Sequence, residues 1–268
     1  MLACNAMFNI KELKYPVLVS SKKDGIRAFI LRCAPWTREC KNVPNRAIRA
    51  LLSRADLERA DGELVVEGLS FHETQAIVMT EDAPLPEAFR YYVFDYIGDI
   101  GYQDRVANLV QYYGNIIPQV VPLLPRLVKS AAELQTMFND SINKGEEGLI
   151  VRSLDGPYKQ GRSTLGEGYM LKLVEWVIGE ALCTGVNELL HNTDTATTRK
   201  LNQVKGGVLG SLTVEHKTYG TFHIGSGFTQ ARRVKYWNEP PIGKVVKFKF
   251  KPYGVKNAPR TPIFMGLI

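Results

Sequence analysis

Lys22-Lys23-Asp24-Gly25-Ile26-Arg27 sets three cations around one carboxylate, between two apolar runs. A lysine amine held in such a place can attack phosphorus once it has shed its proton. That chemistry needs a phosphate pocket, carboxylates for a divalent metal and a ring to seat a base. Taken alone, the hexapeptide reads more readily as an ordinary Asp-Gly turn with solvated lysines, so the partners must come from elsewhere in the chain. Glu63, Asp95 and Glu147 offer carboxylates, Phe94 a ring, and Arg38 and Lys172 cations. Each has a plainer reading as well. Phe94, in an alternating strand, fits a core as well as a base platform, and Lys172 after Met170 and Leu171 fits a snorkelling strand lysine. Glu147 beside Glu146 fits a solvated pair at a helix exit. His72, His191, His216 and His223 form no cluster, and Cys4, Cys33, Cys40 and Cys183 have no zinc spacing, which leaves free thiols in a reducing compartment.

The elements that must position these residues are legible in the periodicity. Asn45 caps a helix carrying Ile48, Leu51, Leu52 and Ala55, and Asp104 is expected to cap another with Val106, Leu109, Val110 and Tyr113. Ser130 and Glu133 form a capping box for a third helix that ends at Gly145. Strand-like runs cover Val17 to Ser20, Ala28 to Leu31, Leu64 to Val66, Tyr91 to Ile97 and Leu149 to Val151. Asp24-Gly25 falls between two of them, where a tight hairpin is expected. Residues 1–175 therefore read as an α+β domain built mainly on antiparallel sheet. From residue 176 to 268 the pattern offers short strands and no helix. Lys247, Lys249 and Lys251 alternate there with Val246, Phe248 and Phe250, giving a strand, opened by Lys244, with a basic outer face. A small all-β barrel of OB type fits this second domain.

A chain of 268 residues, 45% hydrophobic and 23% charged, can bury a sizeable core. No apolar run approaches the roughly 18 to 20 residues of a membrane span, and no secretory signal opens the chain. The expectation is a soluble intracellular monomer of a bacterial or phage-infected cell, with no membrane partner. The net charge of +7 is unevenly placed: residues 176–268 hold 13 Lys+Arg against 5 Asp+Glu. A basic last third points to a polyanionic partner, most simply nucleic acid.

Read in order, Lys22-x-Asp24-Gly25-x-Arg27, Thr37-Arg38, Asp61-Gly62-Glu63-Leu64, Tyr91 to Tyr96, Glu147 to Arg152 and Leu171-Lys172-Leu173 resemble the ordered motifs of the covalent nucleotidyltransferases. That superfamily comprises DNA ligases, RNA ligases and mRNA capping enzymes. Gly161 to Leu165, Gly225 to Thr229 and Gly254 to Arg260 resemble segments of the small ATP-dependent DNA ligases of phages and viruses. The resemblance implies a nucleotidyltransferase (ligase adenylation) domain followed by an OB-fold domain. It implies ATP as cosubstrate, Mg²⁺ or Mn²⁺ as metal, and nicked double-stranded DNA as partner. By the same resemblance Lys22 is the nucleophile, its proton loss favoured by nearby cations and the metal. Phe94 stacks on adenine, Arg27 and Glu63 hold the ribose, Lys172 binds the α-phosphate, and Arg38 lies near the phosphate of AMP or of the nick. Glu147, Glu63 and Asp95 are the metal carboxylates, while Arg38, Lys244, Lys247, Lys249 and Lys251 contact DNA.

The rival readings are an RNA ligase or capping guanylyltransferase, and a non-catalytic nick-binding protein. Four departures from the family pattern bear on them. Position 23 is lysine where the family is usually apolar, and Val174 stands where a second lysine is usual. Asn187 to Gly206 matches a shortened form of a DNA-clasping hairpin, and the chain stops at Ile268, where the family's last motif would follow.

Overall fold

The strand after the lysine motif does not fold back on the strand before it. In the computed structural model, β1 (Val17–Ser21) and β2 (Ile26–Leu31) belong to different sheets, so Lys22 to Gly25 is a crossover, not the hairpin expected. The structure describes residues 1–4, 6–192, 203–251 and 259–268. Most of the expected Gly254 to Arg260 segment and the middle of the Asn187 to Gly206 stretch lie outside the described residues. The chain divides into two compact units, Met1–Val174 and Glu175–Ile268.

The first unit continues with β3 (Ala34–Thr37), α1 (Arg46–Leu52), β4 (Ala60–Val66), α2 (Phe71–Met79) and β5 (Phe89–Tyr96). After these come α3 (Tyr102–Ala107), α4 (Leu109–Tyr113), β6 (Val120–Pro122), β7 (Arg126–Val128), α5 (Ala131–Asn143), β8 (Gly148–Arg152) and β9 (Leu171–Val174). They form two sheets, ordered β7-β1-β8-β9 and β3-β2-β4-β5-β6. All pairs are antiparallel except β5 with β6. Each sheet has its own core. Ile30, Leu64, Phe89 and Tyr91 pack with Ile48, Val78 and Leu109 from the helices, whereas Val19, Leu149 and Leu171 pack with Leu134 of α5.

The caps explain which helix expectations hold. The Asn45 side chain accepts from the Ile48 N–H while its amide donates to the carbonyls of Ile77, Thr80 and Ala83, tying α1 to the end of α2. Ser130 accepts from the Glu133 N–H, but the box expected there is only half formed, since the Glu133 carboxylate accepts from the Lys129 N–H instead; Gly145 follows α5 at φ 76°, the left-handed conformation that suits glycine. Asp104, in contrast, lies inside α3, whose N-cap is Gly101. Burial of Tyr102 and Arg105 sets that helix, so the apolar spacing from Val106 to Tyr113 is divided between α3 and α4.

The second unit holds β10 (Val177–Asn192), β11 (Gln203–His216), β12 (Gly220–Ile224), α6 (Gln230–Asn238), β13 (Val245–Lys251) and β14 (Arg260–Leu267). The strand order is β12-β11-β10-β13-β14. A bridge between Ser226 and Ile263 brings the two ends of this sheet together, which makes an OB-type barrel with a helix before the fourth strand. Register shifts along β10 supply the bending that closure needs. Alternation in β13 is as expected: Val246, Phe248 and Phe250 are buried and the lysines between them are not. Lys244 lies in the turn before that strand.

Helix α6 corrects the expectation of none. It buries no residue fully, and its apolar face is short. Its support is mixed: Tyr236 and Trp237 pack half-buried against the barrel core, Thr229 caps it, and the Arg233 guanidinium donates to the carbonyls of Leu209, Gly210 and Gly225 at 2.7 to 2.9 Å. All four cysteines are free. Among the described residues no helix is long and apolar enough to cross a membrane.

Candidate active site

The ladder between β1 and β8 pairs Ser21 with Leu149 and runs one residue further, where the Lys22 N–H donates to the Gly148 carbonyl at 2.8 Å. This sets Lys22 abreast of Glu147, and its Nζ lies 2.5 Å from Glu147 Oε2. The Glu147 side chain is 7% exposed and that of Lys22 23%. The charge seated against the amine is thus an anion, where the sequence reading put cations. Two glycines make this approach possible. A Cβ on Gly25 would stand 2.2 Å from the Leu64 carbonyl oxygen, and one on Gly148, at φ 138°, 2.2 Å from that of Leu173. Both positions press main chain against main chain, which only glycine permits.

Lys22 opens one wall of a cleft of about 330 Å³, within the range of small-ligand sites. Ser20, Ile150 and Lys172, cross-strand neighbours on β1, β8 and β9, continue that wall. The opposite wall belongs to the other sheet. Arg27 faces Glu63, and Glu63 faces Tyr92, across β2, β4 and β5, with Phe94 next along the Tyr92 face of β5.

Asp61 holds Arg27 through its Nε at 2.9 Å and Nη2 at 2.5 Å and also accepts from the Tyr158 hydroxyl at 2.8 Å. Burial works against the Arg27 charge, but Asp61 outweighs it, and the guanidinium is held cationic more firmly than usual. Burial pushes the Glu63 carboxyl up to about 7, against the pull of Lys22 and Arg27. Lys22, Arg27, Glu63, Phe94 and Lys172 all line this cleft, with Arg38 at its exposed rim. Lys23, Arg152 and Arg162 add three more cations. Seven cations around the rings of Phe94 and Tyr102 make a site for a phosphorylated, ring-bearing ligand.

Asp95 departs from its expected role as a metal carboxylate. It is fully buried, with Arg105 Nε at 2.7 Å from one oxygen and Arg152 Nη2 at 2.7 Å from the other. Strand alternation explains this, because Phe94 points into the cleft and the next residue must point away. Among the described residues no group of three or more His, Cys, Asp or Glu side chains is arranged to hold a metal ion.

Arg152 belongs to the Glu147 motif but had no role in the sequence reading. It is buried in the cleft wall and stacks 3.7 Å from the Tyr102 ring centroid. A charge directly after the apolar run Leu149 to Val151 was the available signal. Nothing in the sequence marked Leu2 and Ala3, which line the cleft through backbone bonds from Leu2 to Gly161 and Ser163 and from Cys4 to Met170.

In the second unit Lys247 and Lys249 lie opposite Glu180 and Ile178 of β10, and Lys249 Nζ sits 5.0 Å from the Trp176 ring centroid. Lys251 lies opposite Arg260.

Comparison with known proteins accounts for both units. Residues 1–173 match the ATP dependent DNA ligase domain, and residues 203–267 match the DNA ligase OB-like domain. The chain is 29% identical over 255 residues to a DNA ligase of Haemophilus influenzae, covering 90% of this chain and 82% of that one. Among solved structures it resembles the Chlorella virus DNA ligase-adenylate, at 33% identity and TM-score 0.59 over 100% of this chain and 96% of that one. It also resembles a Lig E DNA ligase, at 25% identity and TM-score 0.76 over 100% and 98%. The first match spans well over half of the chain, so this protein belongs to the ATP-dependent DNA ligase family and is an enzyme that joins DNA using ATP.

Proposed function

We propose that the enzyme seals nicks in duplex DNA as a single chain, through AMP carried on Lys22. The observation that carries this reading is the cleft itself, which gathers Lys22, Lys172 and five further cations beside Phe94. In the first step the Lys22 Nζ leaves Glu147 and forms a bond to the α-phosphorus of ATP. The bond from that phosphorus to pyrophosphate breaks, and the amine proton passes to solvent. Lys172, on the same wall, neutralises charge on the α-phosphate, while Phe94 seats adenine and Arg27 with Glu63 the ribose. The 5′-phosphate of the nick then takes the AMP, and the 3′-hydroxyl displaces it. Arg38, at the rim, is placed to meet the nick phosphate.

Glu147 and Glu63 are the carboxylates that fit Mg²⁺ or Mn²⁺. Mg²⁺ habitually takes only one or two protein carboxylates and fills its shell with phosphate and water, so two suffice. When bound, such an ion adds positive charge beside the phosphoryl oxygens. The exposed Lys244 and the half-buried Lys247, Lys249 and Lys251 of the OB unit support a duplex contact made through phosphates, since a sealing enzyme needs no sequence readout.

Lys22→Ala should lose all AMP labelling by ATP yet still seal a nick that already carries AMP, because that last step needs no lysine nucleophile. Peptide mapping of the labelled protein decides the site. AMP found on Lys23, or persisting in Lys22→Ala, would overturn the assignment.

A further inference from the structure

Lys23 is the departure that the reading above leaves without a task. Lys22 and Lys23 diverge: the first reaches Glu147 on the β7-β1-β8-β9 sheet, and the second reaches Tyr92 on the other sheet. Lys23 Nζ lies 4.3 Å from the centroid of the Tyr92 ring and lines the cleft. Among the described residues its ammonium has that ring and no carboxylate partner. The Tyr92 hydroxyl donates to Glu67, which enriches the ring face that Lys23 meets.

The two walls divide the ligand between them. Phosphate belongs with Lys22 and Lys172, and the ring belongs with Phe94. Tyr92 is the cross-strand neighbour of Glu63 and stands two residues from Phe94 on one face of β5, which is about 7 Å along a strand. The Lys23 ammonium, over the Tyr92 ring, thus stands one strand step from the ring on which a purine would stack.

We propose that Lys23 is a specificity-determining residue, whose ammonium donates a hydrogen bond to a ring-nitrogen acceptor on the edge of the purine. The inference rests on the cleft being the adenylate site. A charged donor left unmatched loses roughly tenfold in binding, and the loss falls on ground-state and transition-state binding alike.

The test measures AMP transfer to Lys22 by intact mass, for the wild type, Lys23→Met and Lys23→Gln. ATP and its 1-, 3- and 7-deaza analogues serve as substrates. Lys23→Met should raise KM for ATP about tenfold with kcat unchanged within about twofold. One deaza analogue should carry a similar KM penalty in the wild type and none in Lys23→Met. Lys23→Gln, which keeps a donor, should recover part of the loss. Equal deaza penalties in wild type and Lys23→Met overturn the proposal, as does a fall in kcat at constant KM, which would give Lys23 to the phosphates. Failure of the wild type to label Lys22, or an unchanged KM for ATP in Phe94→Ala, would instead overturn the reading of the cleft.

Discussion

In the unit of Met1–Val174, Asp61, Asp95, Arg105 and Arg152 are all but completely buried, whereas in Glu175–Ile268 every buried side chain that the structure describes is apolar. The first unit surrounds its cleft with charges fixed by other charges: Asp61 holds Arg27, and Asp95 holds Arg105 and Arg152. The second keeps its lysines on the outer face of β13, against one glutamate and one indole ring. The difference fits the two tasks proposed for the units. Stabilising charge that develops on phosphorus calls for groups fixed in advance in a dry site. Gripping a polyanion calls for exposed cations that displace counterions.

Removing a buried partner should have the largest effect. Asp95→Asn leaves Arg105 and Arg152 buried with no anion, which should cost about 3–5 kcal/mol in urea unfolding. A cost within the range of an ordinary surface substitution would show that the buried charges do not depend on one another.

Charge reversal on the OB unit should act on a different quantity. Lys247→Glu, Lys249→Glu and Lys251→Glu together should leave stability within about 1 kcal/mol while nicked-duplex affinity falls on the order of tenfold to a hundredfold. The salt dependence of log K should flatten by about one unit per lysine. Filter binding between low and moderate salt reads both, and an unchanged slope would place the duplex on another surface. AMP loading in the same triple variant should match the wild type.

The smallest effect concerns the helix that joins neither set. Thr229→Ala removes the cap of α6 and should cost about 1 kcal/mol, with the Arg233 bonds keeping the helix in place. Loss of the helix signal in far-ultraviolet dichroism would show that the cap, and not the guanidinium, holds it.

The same contrast explains what the sequence discloses. Alternation names the inner face of β13 because burial there is purely apolar. Polar devices are harder to read, and α6 escapes because a threonine cap and one arginine supplement an apolar face of only two half-buried aromatics. Asp104 looks like a cap because the side chain that sets α3 is a buried arginine, invisible to a hydrophobic pattern. Asp24-Gly25 reads as a hairpin because the local sequence does not say that the flanking strands join different sheets. The site is legible to the extent that motif order carries it, and Lys22, Arg27, Arg38, Glu63, Phe94 and Lys172 do meet in one cleft. Glu147 joins the site through Lys22, and the misplacement of Asp95 was within reach of strand geometry. If Phe94 enters the cleft, its neighbour faces the core.

Gly25 and Gly148, each pressed against a carbonyl of the next strand, have a consequence for heredity as well as for chemistry. The reactive amine and its carboxylate are positioned by main chain, so no codon change at either glycine has a side chain small enough to be absorbed. Side chains elsewhere on the cleft walls are not pinned by main chain in this way: Lys23, for one, meets the face of the Tyr92 ring. Descendants of this gene can therefore exchange the nucleotide contacts one at a time while the two glycines, and with them the distance from Lys22 to Glu147, stay where they are.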